Sequence, residues 1–417
     1  MAERRTVKKK GKRAQRPIDR REAPALRPAR PVQRAAGREG SKTVERTAYT
    51  DYSLIFVILF LIVIGLVMLY SVSSYEAGLS YGDSFYYLKR QLIFDVLGIG
   101  AMLFISRIPV VLYRELYKII YGVSVALVLA IIPFGTEVNG AKRWIKLVGS
   151  VNIQPAEVSK IAVIITTAVL IHHLGSRSLD TLKGMGLTLA PAVVQAGMIY
   201  IITNNLSSAV IILGIAVCMV FVASRNYRYF IALFGAGAAA VGGVVYMALS
   251  GKMSGFRSNR LMAWLNPEAF ADSTAFQTLQ ALYAIGSGGF FGKGLGQSIQ
   301  KLGFIPEAQN DMIFSIICEE LGMFGAVGIM VMFMLLIARL VNVAQGCTDL
   351  YEAMIVVGAT AHIAIQVILN IAVVTNTIPN TGVSLPFISY GGSSVVFLLA
   401  ELGLVLSIAR YHASEAA

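Results

Sequence analysis

About ten apolar runs follow one another along the chain, each close to the length of a membrane-spanning helix. Such a helix needs about 20 mostly apolar residues. Hydrophobic residues make up 56% of the chain and charged residues 14%, against about 25% charged in an average soluble domain. The runs centre on residues 54–72, 91–108, 116–134, 157–174, 185–202, 207–223, 229–249, 312–338, 353–374 and 390–409. The sequence therefore predicts an all-α integral membrane protein with about ten transmembrane helices.

Residues 1–50 form a basic segment rich in Arg, Pro and Ala, with 16 Lys and Arg against 5 Asp and Glu. Its low apolar content predicts a disordered tail. A basic tail directly before a first membrane helix is typical of a cytoplasmic N-terminus, which disfavours nucleic-acid binding as the reason for the formal charge of +13. Residues 51–411 then form one multi-pass membrane domain, and residues 412–417 a cytoplasmic C-terminal end.

Two predicted outer loops stand out. One carries Lys142, Arg143 and Lys146 on the side where loops are normally poor in cations, which is consistent with an anionic ligand or with anchoring to lipid headgroups. The other, residues 250–310, is a long extracytoplasmic loop between the seventh and eighth helices. Long loops in compact domains are usually functional or disordered, and the aromatic content of this one favours packed helical pieces.

Ionisable residues at apparent membrane depth are rare and usually face a polar cavity or a partner. Glu157 and Lys160 are three residues apart, which places them on one helix face as an ion pair. That pair is consistent either with a link between helices or with a substrate site. Asp311 precedes the eighth helix, and Glu319 lies about 80° from it around the helix axis, so the two are expected to share a cavity. The alternative for Asp311 is an N-cap.

Two further patterns carry weaker functional signals. His362, Gln366 and Asn370 recur every four residues and form one polar stripe, which favours interhelical hydrogen bonds over a proton relay. The stretch GSGGFFGKGLG at residues 286–296 lacks the spacing of a phosphate-binding loop. Its glycines are therefore expected to allow close backbone approach.

Three long motifs resemble the SEDS proteins, a family that includes FtsW, RodA and SpoVE. They are VNGAKRWIKL with NIQPAEVSK, GKGLGQSIQKLGFIPEAQNDMIFSIICEELG, and PNTGVSLPFISYGGSS. The resemblance spans about residues 50–411 and implies ten helices around a groove open to the outer leaflet. It also implies a peptidoglycan glycosyltransferase that polymerises lipid II and releases undecaprenyl pyrophosphate. The GQSIQK segment resembles division-type and sporulation-type members more than RodA. Of these the division type is favoured, which implies septal synthesis at the bacterial cell membrane; elongation or sporulation roles are the alternatives.

The resemblance also implies roles for individual residues. Asp311 matches the family's essential acid and is the candidate catalytic residue, either as general base or as ligand of a divalent cation such as Mg²⁺ or Mn²⁺. The candidate substrate-binding residues are Arg143, Glu157, Lys160, Gln277, Gln280 and Glu319. The implied partners are lipid II, a class B penicillin-binding transpeptidase and other membrane proteins of the division machinery, with no nucleic acid.

The chain departs from the family pattern at two positions. Asn205 stands in a motif that usually holds an acidic residue, and Thr381 stands where many division-type members have Lys. Roles assigned to that acid or that lysine cannot be carried over. Two other functions stay open at this stage, a lipid II flippase and a non-catalytic scaffold for the transpeptidase.

Overall fold

The computed structural model describes residues 51–138, 141–146, 152–250, 256–273 and 275–412. The predicted tail 1–50 and residues 413–417 of the predicted C-terminal end lie outside the described residues. In chain order the elements are α1 (Tyr52–Tyr81), α2 (Tyr86–Ile105), α3 (Val110–Phe134), β1 (Gly135–Val138), β2 (Ala141–Lys146), β3 (Asn152–Ile153), α4 (Pro155–Leu174), α5 (Ser176–Leu179), α6 (Leu182–Thr203), α7 (Leu206–Ala223), α8 (Arg228–Leu249), α9 (Phe256–Leu265), a 3₁₀ helix (Pro267–Phe270), α10 (Phe276–Gly288), α11 (Ile313–Gly346), α12 (Leu350–Val374) and α13 (Ser393–His412).

Ten of these helices have membrane-spanning length, and they coincide with the ten predicted runs. Within the described part of the chain, nine are long and apolar enough to cross a membrane. The tenth, α2, carries Lys89, Arg90 and Asp95 within its length. The prediction of an all-α membrane fold is confirmed.

The core lies around α4, α12 and α13. Within one apolar stretch of 18 residues in each of these helices, 67%, 61% and 72% of the residues are buried, against 6% in α8. α13 packs along α2, while α4 contacts α3, α7 and α12. Because α4 and α12 lie inside the bundle, polar side chains on them must meet protein partners or an internal cavity.

A small three-stranded antiparallel sheet between α3 and α4 was not predicted. β2 pairs with β1, Thr136 opposite Trp144, and with β3, Ile145 opposite Ile153. Apolar periodicity gives little signal for strands of two to six residues. The sheet fixes the cationic loop in an extended form and aims Arg143 at the ends of α6 and α7.

The connection before α11 is built from packed helical pieces, as predicted. Its helix α10 packs on α11. The two helices approach so closely that a Cβ at Gly288 would collide with the carbonyl oxygen of Cys318. α11 is interrupted at Gly322, which has φ 68°. The freed carbonyls of Glu319 and Glu320 accept hydrogen bonds of 2.9 Å from the backbone of Lys293 and Gly294. The prediction that the glycines allow close backbone approach is confirmed.

Candidate functional site

A polar cavity of about 550 Å³ opens among the ends of several helices. It is lined by the start of α2, by β2, by the first turns of α4 and α7, and by the segment 382–394. Its charged lining residues are Arg90, Arg143, Glu157 and Lys160. Three of the predicted substrate-binding residues therefore meet in one cavity, although they come from two different elements.

The ion pair predicted on α4 is present. Pro155 occupies the first turn of the helix, where its missing N–H costs nothing. One turn further, Lys160 Nζ lies 2.8 Å from Glu157 Oε1, and the lysine side chain is 2% exposed. A buried ammonium needs such a partner, so Glu157 fixes the position of the Lys160 charge at the cavity wall.

Arg143 reaches from β2 to the C-terminal end of α6. Its guanidinium lies 3.4 Å from the carbonyl oxygens of Thr203 and Asn204, the negative end of a helix dipole. Burial and the charge of Arg260 lower the pKa of Arg143. Two neighbouring cations with partial burial make an environment that an anion would complement.

Asp311 is not itself a lining residue of this cavity, but it directly follows the lining residue Asn310, and its Oδ2 lies beside Gly382, which also lines the cavity. It is not the N-cap of α11: that position is Met312, and no side chain caps the helix there. The backbone carbonyl of Asp311 accepts a 2.8 Å hydrogen bond from Asn370. Gly382, with φ 66°, leaves space beside Oδ2 of Asp311. The backbone of Asp311 is therefore anchored by α12, and the N-cap alternative is wrong.

The carboxyl group of Asp311 titrates well above an ordinary aspartate. Burial, with a further contribution from the charge of Glu307, raises its pKa from 3.8 to about 6. A carboxylate with a pKa near 6 is ionised at neutral pH and is a better proton acceptor than an ordinary one.

Gln277 contacts the segments that hold Asp311 and Gly382, but it does not line the cavity. Its amide donates to the carbonyl of Pro306 over 3.2 Å and accepts from Asn380 over 3.2 Å. It thereby ties α10 to the two segments that hold Asp311 and Gly382. Gln280 follows one turn later on α10 and also lies outside the cavity lining.

Glu319 does not share a cavity with Asp311, so that expectation is wrong. Its side chain is fully buried and pairs with Lys293 over 2.7 Å, while it also accepts from Ser298 and the backbone of Ile299. The predicted angle assumed that Asp311 belongs to the helix. The helix begins at Ile313. Residues 289–301, which we call the glycine-rich loop, cover Glu319.

Glu320 meets different neighbours from Glu319. It pairs with Lys301 over 2.8 Å and accepts from the hydroxyl of Ser71 over 2.6 Å. Together the two glutamates fasten the loop of residues 293–301 to α11 and α1.

The polar stripe on α12 makes contacts between segments of the bundle, as predicted. His362 lies 2.8 Å from Glu401 on α13, Gln366 donates to the carbonyl of Ser384, and Asn370 donates to Asp311 and Val383. α12 thus fastens both segments that border the cavity.

Several lining residues were not identified from the sequence. Tyr81, Tyr86, Tyr87 and Tyr390 line one end of the cavity together with Arg90. The only signal was the run YYLKRQ at the start of the second helix, where two cations interrupt an apolar pattern.

The residues expected to be altered relative to the family also border this region. Asn205 lines the cavity and caps α7 by accepting from the N–H of Ser208 over 3.0 Å. Asp would cap equally well, so the capping function is kept while a negative charge is lost. The carbonyl of Thr381 accepts from Ser207 over 2.5 Å, which joins the start of α7 to the segment beside Asp311.

A divalent cation would have few protein ligands here. Among the described residues, no three His, Cys, Asp or Glu side chains form a metal-binding group. Asp311 fits only the mode in which Mg²⁺ is held by one carboxylate together with water and substrate phosphate oxygens.

Comparison with known proteins places this geometry in context. Residues 52–414 match the family described as cell cycle protein, FTSW_RODA_SPOVE. The chain is 38% identical over 371 residues to stage V sporulation protein E of Bacillus subtilis, covering 88% of this chain and 99% of that protein. It is 37% identical over 365 residues to the probable peptidoglycan glycosyltransferase FtsW of Trichlorobacter lovleyi, covering 87% and 94%.

Solved structures share the fold. One is a chain of a peptidoglycan synthase complex that coordinates polymerization and crosslinking. It superposes with a TM-score of 0.72 at 26% identity, covering 87% of this chain and 98% of that one. The rod shape determining protein RodA of Thermus thermophilus superposes with a TM-score of 0.62 at 26% identity, covering 87% and 97%.

Proposed function

The chain belongs to the FtsW, RodA and SpoVE family of cell cycle proteins, and from this premise we propose that it is a peptidoglycan glycosyltransferase that polymerises lipid II during septal cell-wall synthesis. The observation that carries the proposal is the cavity itself. Arg143 and Lys160 line its wall, and Asp311, whose pKa is raised, lies directly behind the lining residues Asn310 and Gly382. A pyrophosphate-linked sugar donor requires both.

The reaction proposed is an inverting glycosyl transfer. The 4-hydroxyl oxygen of an acceptor sugar bonds to the anomeric carbon of the donor, and the bond from that carbon to the pyrophosphate oxygen breaks. The hydroxyl proton passes to Asp311, and the electron pair leaves with undecaprenyl pyrophosphate. A base with a pKa near 6 is suited to this step because it is ionised at neutral pH and binds the proton more strongly than an ordinary aspartate.

Arg143 and Lys160 are proposed to bind the pyrophosphate. Negative charge grows on the leaving group as the glycosidic bond breaks, and fixed cations stabilise it without reorganisation. Arg143 offers a planar fork and Lys160 a point charge. Glu157 holds Lys160 in place through their 2.8 Å contact, so its role in binding is indirect.

Gln277 is proposed as a positioning residue, because it fastens the segments that carry Asp311 and Gly382. Gln280 would support the same helix. A divalent cation at Asp311 remains compatible with the donor set, and no step above depends on one.

The partners are proposed from the relatives. A class B penicillin-binding transpeptidase would crosslink the strands as they form, and other membrane proteins of the division machinery would recruit the chain to the septum. Both termini would then lie in the cytoplasm, with the cavity and the connection 250–310 on the outer side.

Polymerisation of purified lipid II tests the proposal. The purified full-length protein is incubated with fluorescent lipid II, alone and with a class B transpeptidase, and the products are separated by size. Polymer that lysozyme digests supports the proposal. Movement of label between leaflets without polymer would instead identify a flippase, and absence of both would leave a scaffold.

A further inference from the structure

Four tyrosines form one aromatic cluster at an end of the polar cavity. The rings of Tyr81 and Tyr86 stack with centroids 3.8 Å apart at 8°. Tyr87 meets Tyr81 and Tyr86 edge-on at 5.9 and 5.4 Å, and Tyr390 meets Tyr87 edge-on at 5.0 Å. All four side chains line the cavity. We call this set the tyrosine cluster.

The local backbone brings the cluster together. Tyr81 is the last residue of α1, and Gly82 ends that helix in a left-handed conformation, φ 68°. This tight turn returns the chain so that α2 begins at Tyr86. Arg90, one turn further along α2, donates to the hydroxyl of Tyr86 over 2.7 Å and lies 5.4 Å from its ring centroid. The cluster therefore combines aromatic surface, hydroxyl groups and one cation.

The tyrosine cluster is joined to the segment that holds Asp311. The backbone N–H of Tyr390 donates to the carbonyl of Gln309 over 2.9 Å, two residues before Asp311. The next residue, Gly391, donates its N–H to the side chain of Gln91 on α2 over 3.3 Å. Backbone hydrogen bonding therefore links the tyrosine cluster to the segment that leads into Asp311.

Tyrosines near helix ends often only anchor a protein at the membrane surface. Exposure does not distinguish the cluster from such anchors, because Tyr81 is itself 52% exposed, but position on the cavity wall does. Tyr75 is 43% exposed and lies outside the cavity lining, and Tyr70 stacks on Phe85 around a separate apolar groove. The cluster instead has its rings and hydroxyl groups on the wall of a polar cavity that also holds Arg143 and Lys160.

We propose that the tyrosine cluster, with Arg90, binds a sugar ring of the lipid-linked saccharide by stacking. A pyranose ring has one face of C–H groups, which packs on an aromatic surface, and a rim of hydroxyl groups, which bond to phenol and guanidinium groups. The cations at Arg143 and Lys160 would hold the pyrophosphate, and the tyrosines would orient the saccharide toward Asp311. This inference rests on the proposed glycosyl transfer.

Kinetics of three variants test it. Tyr86→Leu removes the aromatic surface, Tyr86→Phe keeps the ring and removes the hydroxyl, and Tyr75→Leu is the control outside the cavity. Loss of a stacked ring is expected to raise KM for lipid II about threefold to tenfold in Tyr86→Leu, with a smaller rise in Tyr86→Phe and none in Tyr75→Leu. Monodisperse elution and an unchanged Tm show that each variant is folded. Equal KM values in all folded variants would overturn the inference.

A binding measurement separates this inference from the proposed function. Saturation-transfer difference NMR with the soluble N-acetylglucosaminyl-N-acetylmuramic acid disaccharide detects contact between sugar protons and the detergent-solubilised protein. Signal from the wild type that Tyr86→Leu loses and Tyr75→Leu retains supports the subsite, even if polymerisation of lipid II fails. Absence of signal from the wild type, or equal signal from both leucine variants, would overturn it.

Discussion

Lys160 Nζ lies 2.8 Å from Glu157 Oε1 in the first turns of α4, and both side chains are buried where the helix meets the polar cavity. The pair is thus part of the bundle core and of the cavity wall. A buried charge without its partner is costly, so the stability of this region and the placement of a cation at the cavity wall depend on one contact.

Replacing Glu157 first alone and then together with Lys160 should separate these two functions. Glu157→Gln leaves the Lys160 ammonium buried without a counter-charge, which typically costs about 3–5 kcal/mol. We expect a clearly lower Tm of the purified protein. The double variant Glu157→Gln with Lys160→Met removes the unpaired charge and should recover most of the Tm, but it should not polymerise lipid II because the Lys160 cation is absent. Wild-type polymerisation by the double variant would exclude Lys160 from substrate binding.

Glu319 is expected to act in stability rather than in substrate binding. Its oxygens bond to Lys293, Ser298 and the backbone of Ile299, so Glu319→Gln should loosen the glycine-rich loop. The expected result is a lower Tm and faster proteolysis between residues 289 and 301, with an unchanged KM for lipid II. A raised KM at wild-type Tm would instead support the substrate-binding role implied by the sequence.

The sequence predicted the parts of this molecule that depend on local pattern. The ten apolar runs, the Glu157–Lys160 spacing and the stripe of His362, Gln366 and Asn370 each follow from helical periodicity, and each is present. The position of Glu319 could not be predicted in the same way. It depends on where α11 begins and on which loop covers it, and both are consequences of tertiary packing.

Contacts between distant segments explain the other omissions. The tyrosine cluster joins residues about 300 positions apart in the chain, and no single-sequence pattern connects them. The sheet around Arg143 consists of strands too short for a periodic signal. The family motif identified Asp311, but the hydrogen bond from Asn370 to its backbone carbonyl is visible only in the folded structure.

Gly322 is expected to be intolerant of substitution. Its φ of 68° disfavours a side chain, and an added Cβ would clash with the backbone of Phe290 and Gly292. Gly322→Ala should lower the Tm strongly because the glycine-rich loop can no longer approach α11. Gly328→Ala, in the same helix with open space at its Cβ, is the matched control and should leave the Tm equal or slightly higher. Similar behaviour of the two variants would argue against the close backbone contact.

Polymerisation should fall on the acid side of neutrality. With its pKa raised to about 6, Asp311 gains a proton as the pH drops through that value, and a protonated carboxyl cannot act as base. The rate is expected to decrease about tenfold per unit below pH 6. The protonated form of Asp311 favours the folded state because it carries no desolvated charge, and this stabilisation is lost as the pH rises through its pKa. Lowering the pH therefore does not unfold the protein through this residue, and inactivation by acid should be reversible. If the polymerisation rate does not change down to pH 4.5 while the folded fraction also stays the same, this assignment is contradicted.

Asp311→Asn should abolish polymerisation and leave the protein folded. Asn keeps the size of the side chain and loses only the negative charge and the ability to accept the proton. Loss of a positioned base typically costs about 10² to 10⁴ in rate. Because the native carboxylate is desolvated, the variant should have an equal or higher Tm at pH 7.5, whereas most core substitutions lower it. Both quantities are measured on one preparation, as polymer formed from lipid II and as thermal unfolding followed by size exclusion. Near-normal polymer from the folded variant would remove Asp311 from the chemistry.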